Sequence, residues 1–254
     1  MLKKRLIAVL IMRDGTVVQS VKFKHTNAIH NDAVHAIESF NRWAVDEIVL
    51  LNVARAPEGK DTFAKEVKRI SRNCFVPLSV GGWIDSEAYA DTLLHSGADK
   101  LVINSAWATN PDLCRRLSQL YGRQCMVASL DVVPGTPECD VAIDRARSPL
   151  GIPPVKWAKH LEDLGAGEIL FNSVSHDGSR HGYHQEELAK VCAAVSIPVI
   201  AFGGVLTWDH LIQGLDAGAS AVAAANIFHY TEHSTRKAKR YLAEAGISVR
   251  REDP

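Results

Sequence analysis

An α/β fold, a single (β/α)8 TIM barrel made of two duplicated half-barrels, is what this chain predicts, on three observations. First, eight short runs rich in Val, Ile and Leu recur along it, each followed by a polar loop and a helical pattern. Runs of that length fit strands covered on both faces, as in a parallel sheet. Second, eight such units in 254 residues match the size of one α/β barrel. Third, the chain repeats itself. VPLSVGGW and GADKLVINS in the first half answer to IPVIAFGGV and GASAVAAAN in the second. The glycine pairs Gly81-Gly82 and Gly203-Gly204 lie 203 − 81 = 122 residues apart, and the Gly-Ala steps at Gly97 and Gly218 lie 218 − 97 = 121 apart. No Pro/Gly/Ser-rich linker divides the copies, so residues 1–254 read as one domain with half-barrels of roughly 1–122 and 123–254.

The elements follow in order. RLIAVLI at 5–11 opens the barrel, and the helical pattern at 31–44 leads to EIVLLN at 47–52. A helix at 61–73 precedes the strand at 77–80, which runs into the first glycine pair. The helix at 86–96 leads to KLVI at 100–103. The next helix, 110–121, has a clear start: Asn110 as N-cap before Pro111 at the first helical position. The second half repeats the plan with strands at 126–131, 168–173, 198–202 and 221–225, and helices at 154–164, 185–195, 208–217 and 234–245.

Composition narrows the function classes. Lys+Arg and Asp+Glu are equal at 29 each, so there is no global field for nucleic acid or an anionic membrane. No apolar run approaches a membrane span, and MLKKRLIAVLIMRDG is too short and too soon interrupted for a secretory signal. Five cysteines, Cys74, Cys114, Cys125, Cys139 and Cys192, show no CxxC spacing. They read as reduced thiols of a cytoplasmic protein, with no metal site and no cofactor expected.

In such a barrel the chemistry lies at the C-terminal strand ends and the loops after them. The two glycine pairs let backbone N–H groups approach an anion. Asn104 and Ser105 after the fourth strand, and Ala225 and Asn226 after the eighth, add donors. Two phosphate pockets on opposite sides of the mouth are expected, suited to a ligand with a phosphate at each end. The bland alternative is that the glycines only make tight turns. In SVSHDGSRHGY, Asp177-Gly178 forms a turn, with Ser179 and the Gly178 N–H turned to a ligand. His176, His181 and His184 match no standard metal spacing and read as solvated loop residues.

The halves disagree at one position. Carried back to the first strand, the repeat sets Ile11 opposite Asp131. Asp131 is expected to close its strand and serve as an acid–base group at the mouth, with a helix cap or loop salt bridge as the alternative. Ile11 can do none of this. At the other end Arg5, Glu47, Lys100 and Glu168 each open a strand, and gather two cations and two anions at the barrel floor. On residues alone this reads as a stabilising ion-pair ring.

The blocks MLKKRLIAVLIMRDGTVV, VGGWIDSEAYADTLLHSGADKLVINSA, GAGEILFNSVSHDGSRHGY and GGVLTWDHLIQGLDAGASAVAAANIFH resemble the cyclase subunit of imidazole glycerol phosphate synthase, the HisF type, over essentially the whole chain. The resemblance implies a glutaminase (HisH-like) subunit docked at the barrel floor and ammonia passing through the barrel. At the mouth the ammonia would meet a bis-phosphorylated ribotide, with aspartates on strands 1 and 5 assisting. It makes Arg5, Glu47, Lys100 and Glu168 a gate at the tunnel entrance and Asp99 an interface residue. It also sets Gly82, Asn104, Asp177, Gly178, Gly203 and Gly204 around the phosphates. The departures sit at the mouth. Ile11 stands for the strand 1 aspartate, Gln19 for a loop lysine, Asn52 for an aspartate closing strand 2, Asn226 for a serine, and Trp83 for a small residue.

The resulting expectation is a divergent paralogue of the surface-polysaccharide type. It would keep glutaminase docking and ammonia conduction, with an ATP-dependent enzyme converting an acetamido sugar to an amidine. An active cyclase of histidine biosynthesis is the alternative, and a non-catalytic barrel binding a phosphorylated small molecule is a third reading.

Overall fold

The computed structural model describes residues 3–21, 25–54, 59–136, 138–179, 181–229 and 232–250. Eight parallel strands close on themselves: β1 (Arg5–Arg13), β2 (Glu47–Asn52), β3 (Leu78–Gly81), β4 (Lys100–Ile103), β5 (Met126–Val133), β6 (Glu168–Ser173), β7 (Val199–Phe202) and β8 (Ala221–Ala224). Pairing of β8 with β1 and of β5 with β6 completes the ring. Helices α1 (Ala33–Arg42), α2 (Lys60–Ser71), α3 (Glu87–His95), α4 (Pro111–Tyr121), α5 (Pro154–Asp163), α6 (Gln185–Ala194), α7 (Trp208–Asp216) and α8 (Ser234–Glu244) surround it.

Each strand buries both faces, which is why the sequence shows continuous apolar runs. Outward residues such as Leu6, Leu10, Leu50 and Leu101 pack under the helices with Phe40, Trp107 and Phe228. Inward ones, among them Ile7, Val9, Val49, Val102, Val127, Leu170 and Ile200, fill the barrel interior. Helix starts follow local chemistry. Asp32 accepts from the Val34 N–H at 2.8 Å, and Asn110 accepts from the Leu113 N–H at 3.3 Å with Pro111 next to it. Asn110 also separates α4 from a short helical turn, Ala106–Thr109.

The ladders settle the repeat. Ile7 pairs with Glu47, and Val127 with Glu168; on the other side Leu6 pairs with Val222, and Met126 with Leu101. Glu47 and Glu168 are 168 − 47 = 121 positions apart, as are Leu101 and Val222, so both neighbours align β1 with β5 identically. In that alignment Ile11, paired with Leu51, corresponds to Asp131, paired with Asn172.

Asp131 does not close its strand, contrary to expectation. β1 and β5 both run two residues further, because each pairs antiparallel with a hairpin unseen in the strand pattern. The first hairpin is Thr16–Val21 with His25–His30, joined to β1 through Met12↔Val17. The second is Asp140–Ile143 with Ser148–Pro149, joined to β5 through Asp131↔Ala142.

At the floor a buried ion pair ties the last helix to the sheet. Lys239 Nζ lies 2.5 Å from Asp46 Oδ1, while Asp46 Oδ2 accepts from the Leu6 N–H at 2.8 Å.

Candidate active site

The lower end of the barrel holds a closed square of charge. Arg5 opens β1, Glu47 β2, Lys100 β4 and Glu168 β6, and all four point inward because each shares the pleat of the interior residues above it. Arg5 Nη1 donates to Glu47 Oε1 at 2.6 Å, and Nη2 donates to Glu168 Oε1. Lys100 Nζ donates to Glu168 Oε2 at 2.9 Å but stands 3.5 Å from Glu47 Oε2, a buried oxygen with no hydrogen bond. Burial alone would make Arg5 less basic. Its hydrogen bonds and charge contacts with Glu168 and then Glu47 outweigh that, and its pKa rises. Beside the square, Asp99 Oδ2 accepts from the Leu78 N–H at 2.8 Å, anchoring the start of β3. Above it the axis is lined by apolar side chains, with the buried Ser79 among them.

At the mouth the two sides differ in kind. On the β5–β6 side, Asp131 is 5% exposed and its Oδ1 accepts from Asn172 Nδ2 at 3.0 Å and from Ser129 Oγ at 3.1 Å. Burial pushes its carboxyl up to about 6, with the two hydrogen bonds pulling the other way. Asn172 Oδ1 is buried and has no protein partner. On the matching side stand Val9, Ile11 and Leu51, packed in the interior apolar cluster. The acid and both of its hydrogen-bond donors thus have apolar counterparts in the other half. The strand pattern alone does not single out Ser129 and Asn172, although laying the repeat over Val9 and Leu51 finds them.

The glycine pairs have a packing reason. A Cβ on Gly81 would meet Val102 O at 2.6 Å, and one on Gly204 would meet Gly182 O at 2.2 Å. Gly82, Gly203 and Gly204 all have positive φ. The donors expected beside the first pair are engaged within the protein. Asn104 Nδ2 donates to Ser129 O at 3.0 Å. Ser105 Oγ donates to Asn104 Oδ1 at 3.3 Å and accepts from the Asp144 N–H at 3.1 Å. Asn52 Oδ1 accepts from the Ala54 N–H at 3.0 Å, and Trp83 Nε1 donates to Ala54 O at 3.0 Å.

Near the second pair, Asp177 is buried and accepts from Ser20 Oγ at 2.7 Å, which ties the first hairpin to the loop after β6. Gly178 takes a left-handed turn at φ 66. The Ser179 hydroxyl donates to His176 O at 2.8 Å, closing that turn. His176 and His184 are partly exposed and His181 is exposed. The His176 and His184 rings stack at 3.9 Å, and His184 Nε2 lies 2.7 Å from Ser175 Oγ. Burial, then the charge of His176, lowers the His184 pKa. Gly203 follows β7, Ala225 follows β8, and Asn226 begins a short helix with its Oδ1 buried and unpartnered. Among the described residues no cluster of His, Cys, Asp and Glu could hold a metal, and no helix is long and apolar enough to cross a membrane.

The chain matches the family described as histidine biosynthesis protein over residues 5–234. It belongs to that family. It is 39% identical over 254 residues to the imidazole glycerol phosphate synthase subunit HisF of Chlorobium phaeovibrioides, covering 98% of this chain and 100% of the relative. The corresponding subunit of Chlorobium luteolum is 38% identical with the same coverage. For this member of the histidine biosynthesis family, the likeness covers nearly the whole length of the barrel.

Proposed function

We propose that this HisF-like barrel is the ammonia-receiving subunit of a glutamine amidotransferase complex, with the ribotide cyclase chemistry weakened or lost. A HisH-like glutaminase docks at the floor, with Asp99 at the interface and Arg5, Glu47, Lys100 and Glu168 as the entrance. Ammonia crosses the apolar interior and meets its acceptor at the mouth, where the free Asn172 Oδ1 and Asp131 suit an N–H donor. We assign the acceptor to an acetamido sugar made into an amidine for surface polysaccharide, together with an ATP-dependent partner. The observation that carries this reading is that Ser129, Asp131 and Asn172 on one side of the mouth face Val9, Ile11 and Leu51 at the corresponding positions of the other, above a closed charge square. Losing one positioned acid–base group costs about two to four orders of magnitude in rate.

The test is coupling. Glu168→Gln removes one charge from the square while keeping its shape. In the complex with the glutaminase it should leave glutamine hydrolysis running but lower ammonia transfer per glutamine at least severalfold. Unchanged coupling refutes the conduit. An active cyclase is the second reading, favoured by Asp131 itself, whose carboxyl near 6 suits proton transfer close to neutral pH. Turnover of the ribotide with ammonium, or rescue of a histidine auxotroph, would establish it in place of the first.

A further inference from the structure

We infer that Arg145, at the tip of the second hairpin, is the anion-recognising residue on the first-glycine-pair side of the mouth, and that Trp83 is the platform that holds it there. The Asn104 amide and the Ser105 hydroxyl are both bonded to protein groups, as described above, and offer a ligand little. The bond from the Asp144 N–H to Ser105 Oγ brings the hairpin tip against the loop after β4. Arg145 then lies with its guanidinium carbon 5.9 Å from the centre of the Trp83 ring, and Trp83 directly follows Gly82.

Arg145 is available to an anion. Its own ion pair among the described residues is a long one, 3.7 Å to Asp144 Oδ1, and that carboxylate is already gripped by Arg147 Nη2 at 2.7 and 2.6 Å. The Arg145 side chain is 26% exposed, a position between core and solvent where a charge is only partly hydrated. The backbone is held off its easy conformations to achieve this. Asp144, Arg145 and Ala146 are three consecutive non-glycine residues at φ 53, 58 and 60, and Trp83 stands at φ 57. Each such residue carries strain of roughly 1–3 kcal/mol, and strain of this kind gathers at ligand clamps. Trp83 is fixed from its far side by the bond from Nε1 to Ala54 O.

A planar guanidinium on an indole recognises an oxyanion, phosphate monoester or carboxylate, through paired N–H donors. Recognition on this side therefore passes from the loop after β4 to the hairpin. This rests on reading the upper face as the ligand site of the complex.

The test uses the full chain and calorimetric titration with ribose 5-phosphate and, separately, glucuronate, the two sources of the anion. Binding of at least one probe is expected. Arg145→Ala should weaken it about tenfold to a hundredfold, in line with loss of a charge-assisted pair, and Arg145→Lys should restore part of the loss. Preference for one probe identifies the anion. Equal affinity in wild type and Arg145→Ala, or no binding of either probe to the wild type, overturns the assignment. The titration needs neither glutaminase nor turnover, so its failure stands apart from failure of the delivery reading, which the Glu168→Gln coupling assay addresses.

Discussion

Replacing Asp131 by Asn removes the buried carboxylate held between Ser129 and Asn172 while keeping its size. In the folded chain this group ionises near 6 against 3.8 for a free carboxyl, because burial opposes its charge. The sign follows from proton binding. The folded state holds the proton more tightly, so the acid costs nothing below pH 3.8, and its penalty grows from there to about 6 and stays full above. With those two values the cost is on the order of 2 kcal/mol at pH 5 and about 3 kcal/mol at pH 8. The Asp131→Asn variant would carry no such term. The difference in unfolding free energy between variant and wild type should therefore shift toward the variant by roughly 1–2 kcal/mol from pH 5 to pH 8. Any constant packing effect of the substitution cancels from that comparison. Urea unfolding of both proteins at the two pH values measures it directly. A gap that stays level across the range would show that Asp131 is not held in a poorly hydrated site.

Two further outcomes follow from packing. Asp46→Ala leaves Lys239 buried without its carboxylate and frees the Leu6 N–H, so unfolding free energy should fall by roughly 3–5 kcal/mol, as read by denaturant titration. Gly204→Ala drives a methyl to within 2.2 Å of Gly182 O at φ +83. The variant should lose several degrees in Tm, and an unchanged melting curve would mean the loop after β6 is free to withdraw.

The barrel was legible because its strands are buried on both faces, which leaves apolar runs that cannot be mistaken for amphipathic segments. All eight strands and all eight surrounding helices lie where the runs and patterns predict them. The hairpins escaped because HTNAIH is a polar stretch with no apolar face to bury, and because CDVAI ends at a turn without glycine. The charge square was legible as a set, since four charged residues at strand starts share one pleat. The polar trio was legible only in its acid. Ser129 and Asn172 matter through a hydrogen bond to Asp131, one of them from a neighbouring strand, and register is a property of the sheet. The reverse holds for Asn104 and Ser105, whose side chains looked free in sequence and are spoken for in the fold.

The two hairpins stand at the same place in the two copies, and each, besides pairing with the strand it follows, reaches across to the other half. Ser20, in the first copy, bonds to Asp177 in the second, and the backbone of Asp144, in the second, bonds to Ser105 in the first. Each half reaches over the rim and latches the other, so the top of the barrel is a mutual clasp. Residues 1–122 made alone would carry an arm and a loop whose bonding partners lie in residues 123–254, and the same holds the other way round.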